Sequence, residues 1–222
     1  MKNRNTLILA GALSGIASFL CDFLSMYILG SRYPGYKQSQ GIISDLGASA
    51  SPVSEAISTW WIIVGILIII FAVGFRVACT PADRYVRIAF WLIIIYALGE
   101  GLGSGLFKYD VIDNKKTISY WIHEVLGGAG VFAVLVLPLA VKRVRQLSFP
   151  QWFRKASGPV VITGGILLLL FSPHFLGYND NIFAKYEGVW QRLFLLLYYI
   201  YMGIMAFIMI RQTFSREKSS LT

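Results

Sequence analysis

Apolar residues run along the chain in six long blocks separated by short polar connections, at 7–29, 58–78, 86–107, 118–141, 158–175 and 189–210. A hydrocarbon core about 30 Å thick takes roughly 20 mainly apolar residues to cross as a helix, and each block approaches or exceeds that length. None shows the apolar–polar alternation over about ten residues that a barrel strand requires. The pattern predicts an all-α integral membrane protein: a six-transmembrane-helix bundle in which residues 1–222 form one membrane domain. Residues 30–57 are then its longest loop, and 215–222 a loose polar tail.

Composition agrees with a lipid environment. The chain is 56% hydrophobic and only 14% charged, against roughly 25% charged in soluble domains. Lys2 and Arg4 before the first block suggest a signal peptide. The block, however, continues past Cys21 to Leu29, and the bulky Phe19 and Leu20 do not resemble a small-residue cleavage site, so it is read as an anchor. Cys21 and Cys79 fall toward opposite faces of the membrane and are too far apart to bridge.

The net charge of +9 sharpens this into an orientation. With six spans and the N-terminus inside, the inner side holds Lys2, Arg4, Arg76, Arg84, Arg87, Lys142, Arg143, Arg145, Arg154, Lys155, Arg211, Arg216 and Lys218, thirteen of the twenty basic residues. This positive-inside bias predicts both termini in the cytoplasm, and accounts for the charge without nucleic acid. A cytoplasmic contact with anionic lipid is compatible with it. Trp60, Trp61, Tyr120, Trp121, Tyr186 and Trp190 fall at outer span ends, and Trp152 and Phe153 in the inner loop between the fourth and fifth blocks, the headgroup depth that such rings favour.

Candidate chemistry lies inside the blocks, where ionisable groups are expensive and usually face a bundle interior. Asp22 and Glu100 fall about 10 Å below the outer surface, and His123 and Glu124 about 7 to 9 Å, at 1.5 Å rise per residue. His174 closes the fifth block on the same side. Helical spacing aligns Ser14, Ser18, Asp22 and Ser25 on one face, and Tyr96, Glu100 and Ser104 on another. Gln191 with Tyr198, or Arg192 with Tyr199, share faces of the sixth block. Gly99, Gly101, Gly103 and Gly105 alternate beside Glu100 without the strand–helix setting of a phosphate loop, so they predict close helix contact.

Two histidines and several carboxylates could supply ligands for a divalent metal such as zinc, with a carboxylate as general base. No HExxH pair is present, and a mutually neutralising hydrogen-bonded network accounts for the same residues without metal. Proton-coupled transport is a third reading, opposed by inner halves that carry almost no ionisable residues to continue a path. In the long loop, Ser44 or Asp45 reads as the cap of a short helical turn.

Ile43-Ser44-Asp45-Leu46-Gly47-Ala48 after the first block, Gly101-Leu102-Gly103-Ser104-Gly105-Leu106-Phe107 with Asp110 at the end of the third, and His123 opening the fourth resemble the bacterial membrane family catalogued as domain of unknown function 998. The resemblance covers nearly the whole chain. It implies a multi-span protein of bacterial inner membranes, with Asp45, Asp110 and His123 in one outer site. Many relatives have proline after the phenylalanine where this chain has Lys108.

The expectation is therefore an outward-facing polar pocket that binds or processes a lipid headgroup or small periplasmic solute, as a metal-assisted hydrolase if enzymatic. Glu100, Asp45 and His123 are its candidate catalytic groups. Asp22, Asp110, Glu124, Tyr96, Gln191 and Arg192 line it, and His123 with His174 are candidate metal ligands. The competing expectation is a non-catalytic membrane protein, structural or transport-related, whose polar layer fixes helix packing.

Overall fold

The structure, a computed structural model, describes residues 2–172 and 182–219. Among these, six helices are long and apolar enough to cross a membrane: Asn3–Gly30, Ser54–Ala78, Arg84–Leu106, Ile118–Val141, Gln151–Phe171 and Glu187–Ser215, here the first to sixth spans. The protein is an all-α, multi-pass membrane protein. The only strands among the described residues, Val111–Ile112 and Lys115–Lys116, pair antiparallel. Asp113 and Asn114 between them adopt φ of 50° and 58°, the left-handed pair that a tight hairpin turn needs and these residue types tolerate.

Helix ends depart from the hydropathy blocks. The second helix starts at Ser54, which shortens the long loop to 31–53, and the fifth starts at Gln151. The last helix runs from Glu187 to Ser219, so the expected loose tail is helical through 219. Hydropathy registers only the part of a helix that lipid covers, whereas Arg, Glu and Lys propagate a helix well beyond it. Polar caps set two of the starts. Asp83 Oδ1 accepts from the N–H groups of Tyr85 and Val86, both at 2.9 Å. Its bonds to the backbone at Val86 and Tyr85 hold the carboxyl below the usual range, Val86 having the larger effect. Thr117 Oγ1 accepts from Tyr120 N–H at 3.1 Å to open the fourth span.

Each span packs on its neighbours in sequence, and the sixth returns to the first. The third span is the wedge that brings this group together. It switches to π-helix over Ala97–Gly103, and its alternating glycines form two i, i+4 pairs on opposite faces. A Cβ on Gly101 would meet the backbone of Gly65, and one on Gly105 would lie 2.6 Å from Ser58 O, both in the second span. A Cβ on Gly99 would meet Leu126 O, and one on Gly103 would lie 3.0 Å from Leu126 Cβ, both in the fourth. The Glu100 side chain lies against the fourth span, where a Cβ on Gly127 would come within 3.2 Å of its Oε1 and one on Gly130 within 3.1 Å of its Cγ. Gly101→Val is expected to lower stability by about 3 kcal/mol or more, since backbone faces backbone and neither can yield. Gly203→Ala, which meets nothing within 4 Å, should leave the protein unchanged or raise stability by roughly 0.5–1 kcal/mol. Melting temperatures in one lipid nanodisc preparation compare the two.

The fifth span is the loosest member. Only 17% of its apolar window is buried, against 39–56% in the others. It leans on the fourth and sixth spans and leaves a gap beside the fourth.

Candidate functional site

The loop 31–53 is pinned over one end of the bundle, here the loop end, by side chains drawn from distant spans. Arg192, buried in the sixth span, donates to Gly41 O (3.0 Å), Gly188 O (2.9 Å), Tyr36 Oη (2.7 Å) and Gln38 Oε1 (2.7 Å). Tyr36 Oη donates onward to Gly41 O and Ile42 O at 3.0 and 2.9 Å. Gln191 Oε1 accepts from Ile43 N–H at 2.8 Å. At the far end of the loop, Asp110 accepts from Ser49 N–H (2.7 Å) and Ser49 Oγ (2.6 Å). Lys108 Nζ donates to Ser54 Oγ, Ser58 Oγ and Glu55 Oε1 at 2.8, 2.9 and 3.1 Å, docking the turn after the third span onto the start of the second.

These ties hold a 3-10 turn, Ile43–Gly47, among the first, second and sixth spans. Leu46 is fully buried beneath it, and Gly47 lies so close to the Trp61 indole that no Cβ fits. The turn begins after Ile42 with no side-chain cap. The Asp45 carboxyl instead reaches back to the Ile42 backbone, so of the two residues expected to cap the turn Asp45 serves it, and the Ser44 hydroxyl takes another partner.

That partner is His123. Ser44 Oγ lies 3.0 Å from His123 Nε2, and His123 Nδ1 lies 2.8 Å from Phe107 O. A carbonyl only accepts, so Nδ1 carries the proton. In the neutral ring Nε2 is then an acceptor, and Ser44 donates to it. Buried His123 is thus fixed in both tautomer and rotation. The geometry is that of a hydroxyl nucleophile beside its general base, with a backbone carbonyl in the place that a carboxylate often takes.

Two cavities meet at Ser44. The larger, about 450 Å³, lies between the fourth and fifth spans. Its polar floor is Ser44, His123, Glu100, Glu124 and Gln191; Val125, Val131, Phe132, Leu168 and Phe171 form apolar walls. Val125 and Phe132 are 69% and 61% exposed at the rim, so the opening points sideways toward lipid. The smaller, about 30 Å³, lies deeper among Asp22, Tyr96, Glu100, Ser104 and Tyr199. Ser44, Glu100 and Gln191 line both. The bond from Ile43 fixes the Gln191 amide with its carbonyl toward the loop, which leaves the NH₂ end for the cavities.

Of the residues expected in one pocket, the structure brings together His123, Glu100, Glu124 and Gln191 around the larger cavity. Asp22 and Tyr96 join Glu100 and Gln191 around the smaller. The serines in line with Asp22 satisfy themselves on their own helix: Ser14, Ser18 and Ser25 donate to the carbonyls of Ala10, Gly15 and Asp22. Asp45, Asp110 and Arg192 line neither cavity. Arg192 and Asp110 are loop fasteners, and Asp45 faces the charge of Arg192. The expected metal ligand His174 lies outside the described residues. Both ring nitrogens of His123 are already engaged, and no three His, Cys, Asp or Glu among the described residues gather as a metal group. Ser44, Phe107 O and Tyr199 are the participants that sequence reasoning missed. Only the clustering of Ser44, Phe107 and His123 in shared motifs hints at the first two.

Asp45 gives a pH signature. Burial pushes its carboxyl up to about 6, outweighing the pull downward from the Ile42 backbone and Arg192. The folded state therefore binds more protons than the unfolded one between about pH 4 and 6, and stability falls as pH rises through that window. Asp45→Asn should melt above the wild type at pH values over about 6, and the difference should vanish below about pH 4. Paired thermal scans across pH read this directly.

A family model described as "Protein of unknown function (DUF998)" matches residues 16–208. The matched stretch includes both motifs and every residue of the two cavities. No curated protein and no solved structure matches the chain.

Proposed function

The chain belongs to the DUF998 family, and from that premise we propose that it is a membrane-embedded acyl hydrolase acting on a lipid ester or amide in the outer leaflet of a bacterial inner membrane. The observation that carries this reading is the Ser44–His123 pair at the polar end of a cavity whose apolar walls open sideways between the fourth and fifth spans. An acyl chain fits the Val125–Phe132–Leu168 side, and the ester at its head reaches the polar floor.

In this reaction His123 Nε2 takes the Ser44 hydroxyl proton as Oγ attacks the acyl carbon. The Gln191 NH₂ group donates to the developing oxyanion. The imidazolium, held by Nδ1–H to Phe107 O, gives its proton to the departing alcohol or amine. Water, deprotonated by His123, then cleaves the acyl-Ser44 ester and regenerates the pair. The loop end faces outward on this reading, because the opposite end carries the basic excess that includes Arg84, Lys142, Arg143 and Arg145.

A fluorophosphonate probe tests this in nanodiscs: mass spectrometry should find Ser44 modified, and both Ser44→Ala and His123→Ala should abolish labelling. Ser44 unmodified in protein with a wild-type melting curve, or modified equally well in His123→Ala, would overturn the assignment.

A further inference from the structure

At the end of the bundle opposite the loop, five basic side chains from three parts of the chain surround one cavity of about 450 Å³. Arg84 comes from the start of the third span, Lys142, Arg143 and Arg145 from the turn after the fourth, and Arg154 from the beginning of the fifth. Among the described residues none of the five makes an ion pair; the one such pair, Lys108–Glu55, lies at the loop end. Asp83 is the single acid on the cavity. Its carboxyl is already occupied by the N–H groups of Tyr85 and Val86 and by the Gln146 side chain.

The cluster is held in place by bonds of its own. Arg154 donates to Lys142 O (2.8 Å), Phe149 O (3.3 Å) and Leu147 O (3.4 Å). Gln146 Nε2 donates to Pro81 O at 3.1 Å, which ties the turn after the fourth span to the connection before the third. Val144 and Leu147 are buried, so Arg143 and Arg145 stand exposed on either side of Val144. Arg84 Nη2 donates to Tyr85 Oη at 2.6 Å, and the guanidinium lies 4.6 Å from the centre of that ring.

Membrane topology asks only that basic residues lie on one side; it does not require them to converge. Like charges brought together without a carboxylate repel, and arginine does not shed its proton to relieve the repulsion, so the balancing anion comes from outside the chain. Phosphate is the anion whose oxygens match guanidinium forks, and basic pockets between spans at headgroup depth suit it. The third span indicates its source. Arg84, Ile88, Trp91 and Ile95 share one helix face, and the three apolar members are 46%, 59% and 40% exposed. The cleft therefore opens onto a lipid-facing stripe along which the chains of a bound lipid can lie.

We propose that this cleft binds the phosphate of an anionic lipid headgroup in the leaflet opposite the loop end. The proposal is independent of the acyl-transfer reading, since it concerns the other end of the bundle.

Melting full-length protein in nanodiscs of phosphatidylcholine, alone or with increasing phosphatidylglycerol, tests it, with inorganic phosphate added to the phosphatidylcholine discs as a separate arm. Phosphatidylglycerol should raise the wild-type melting temperature saturably, by about 3 °C or more, and inorganic phosphate should not reproduce the shift. Arg143→Gln/Arg145→Gln should lose most of the shift and Arg84→Gln part of it. Lys155→Gln/Arg211→Gln removes the same charge from exposed residues at the same end that do not line the cleft, and should keep it. No shift in the wild type, an equal loss in the two double variants, or a full shift with inorganic phosphate alone would overturn the proposal. Should Arg143→Gln/Arg145→Gln fail to fold, Arg84→Gln against the Lys155/Arg211 variant decides. Ser44 labelling by the fluorophosphonate is a separate readout, so failure here leaves the acyl-transfer assignment to its own test.

Discussion

Ser44→Ala is expected to lower cleavage of a fluorogenic lipid ester in nanodiscs by at least about 10³-fold, because it removes the only atom that forms the acyl intermediate. The melting temperature should stay close to that of the wild type, since the substitution removes one hydroxyl from a cavity edge. His123→Ala should cost a similar factor, and the double variant no more than the worse single one, as groups that act as a unit are not additive. Gln191→Glu keeps the oxygen that accepts from Ile43 N–H and removes the NH₂ donor. It should depress kcat by on the order of 10², with a smaller effect on KM. A uniform loss across Ser44→Ala, Gln191→Glu and a loop variant such as Asp110→Ala, with melting temperatures falling in parallel, would instead point to a merely structural role.

Arg192→Met is expected to be the most damaging single change to the fold. Arg192 is 4% exposed and serves two backbone carbonyls, a phenol and an amide oxygen. Its removal leaves Gly188 O and Gln38 Oε1 without the donor they have here and releases the Tyr36–Gly41 end of the loop. Losing several charge-assisted bonds at a buried site costs about 3–5 kcal/mol. For a chain of this size that corresponds to a drop in melting temperature of roughly 10 °C. Arg192→Lys should recover little, because one ammonium cannot present the planar fork that reaches Gly188, Gly41, Tyr36 and Gln38 together. Because Ile43 and Ser44 follow the clamped segment directly, fluorophosphonate labelling should fall in Arg192→Met even at temperatures where the helices remain folded.

Much of the candidate site is legible in the sequence as a set of costly residues and not as a geometry. Asp22, Glu100, His123 and Glu124 stand out because ionisable groups in apolar blocks require an explanation, and the structure places them around two adjoining cavities. Arg192 stands out for the same reason, and Asp45 and Asp110 through the motifs they sit in, yet they line neither cavity; two fasten the loop and Asp45 faces Arg192. A charge pattern cannot separate a residue that lines a pocket from one that holds the wall in place, since both are polar, partly buried and close in depth. The glycine run shows the same limit. Its alternation predicts close contact, but only the packed structure reveals that Gly99 and Gly103 meet the fourth span while Gly101 and Gly105 meet the second.

By itself the sequence determined the six membrane-crossing helices, the polar layer near one end and the long loop beside it. Transfer of a side chain into lipid and the continuation of a helix are local terms, summed over neighbouring residues, so they can be read along the chain. The tertiary structure alone decided that Ser44 meets His123 across 79 residues of sequence, that Phe107 O sets the tautomer, and that the loosely packed fifth span leaves the cavity open to lipid. Those outcomes depend on long-range packing and on hydrogen-bond satisfaction in a low-dielectric interior, where each buried group competes for partners that no local pattern specifies.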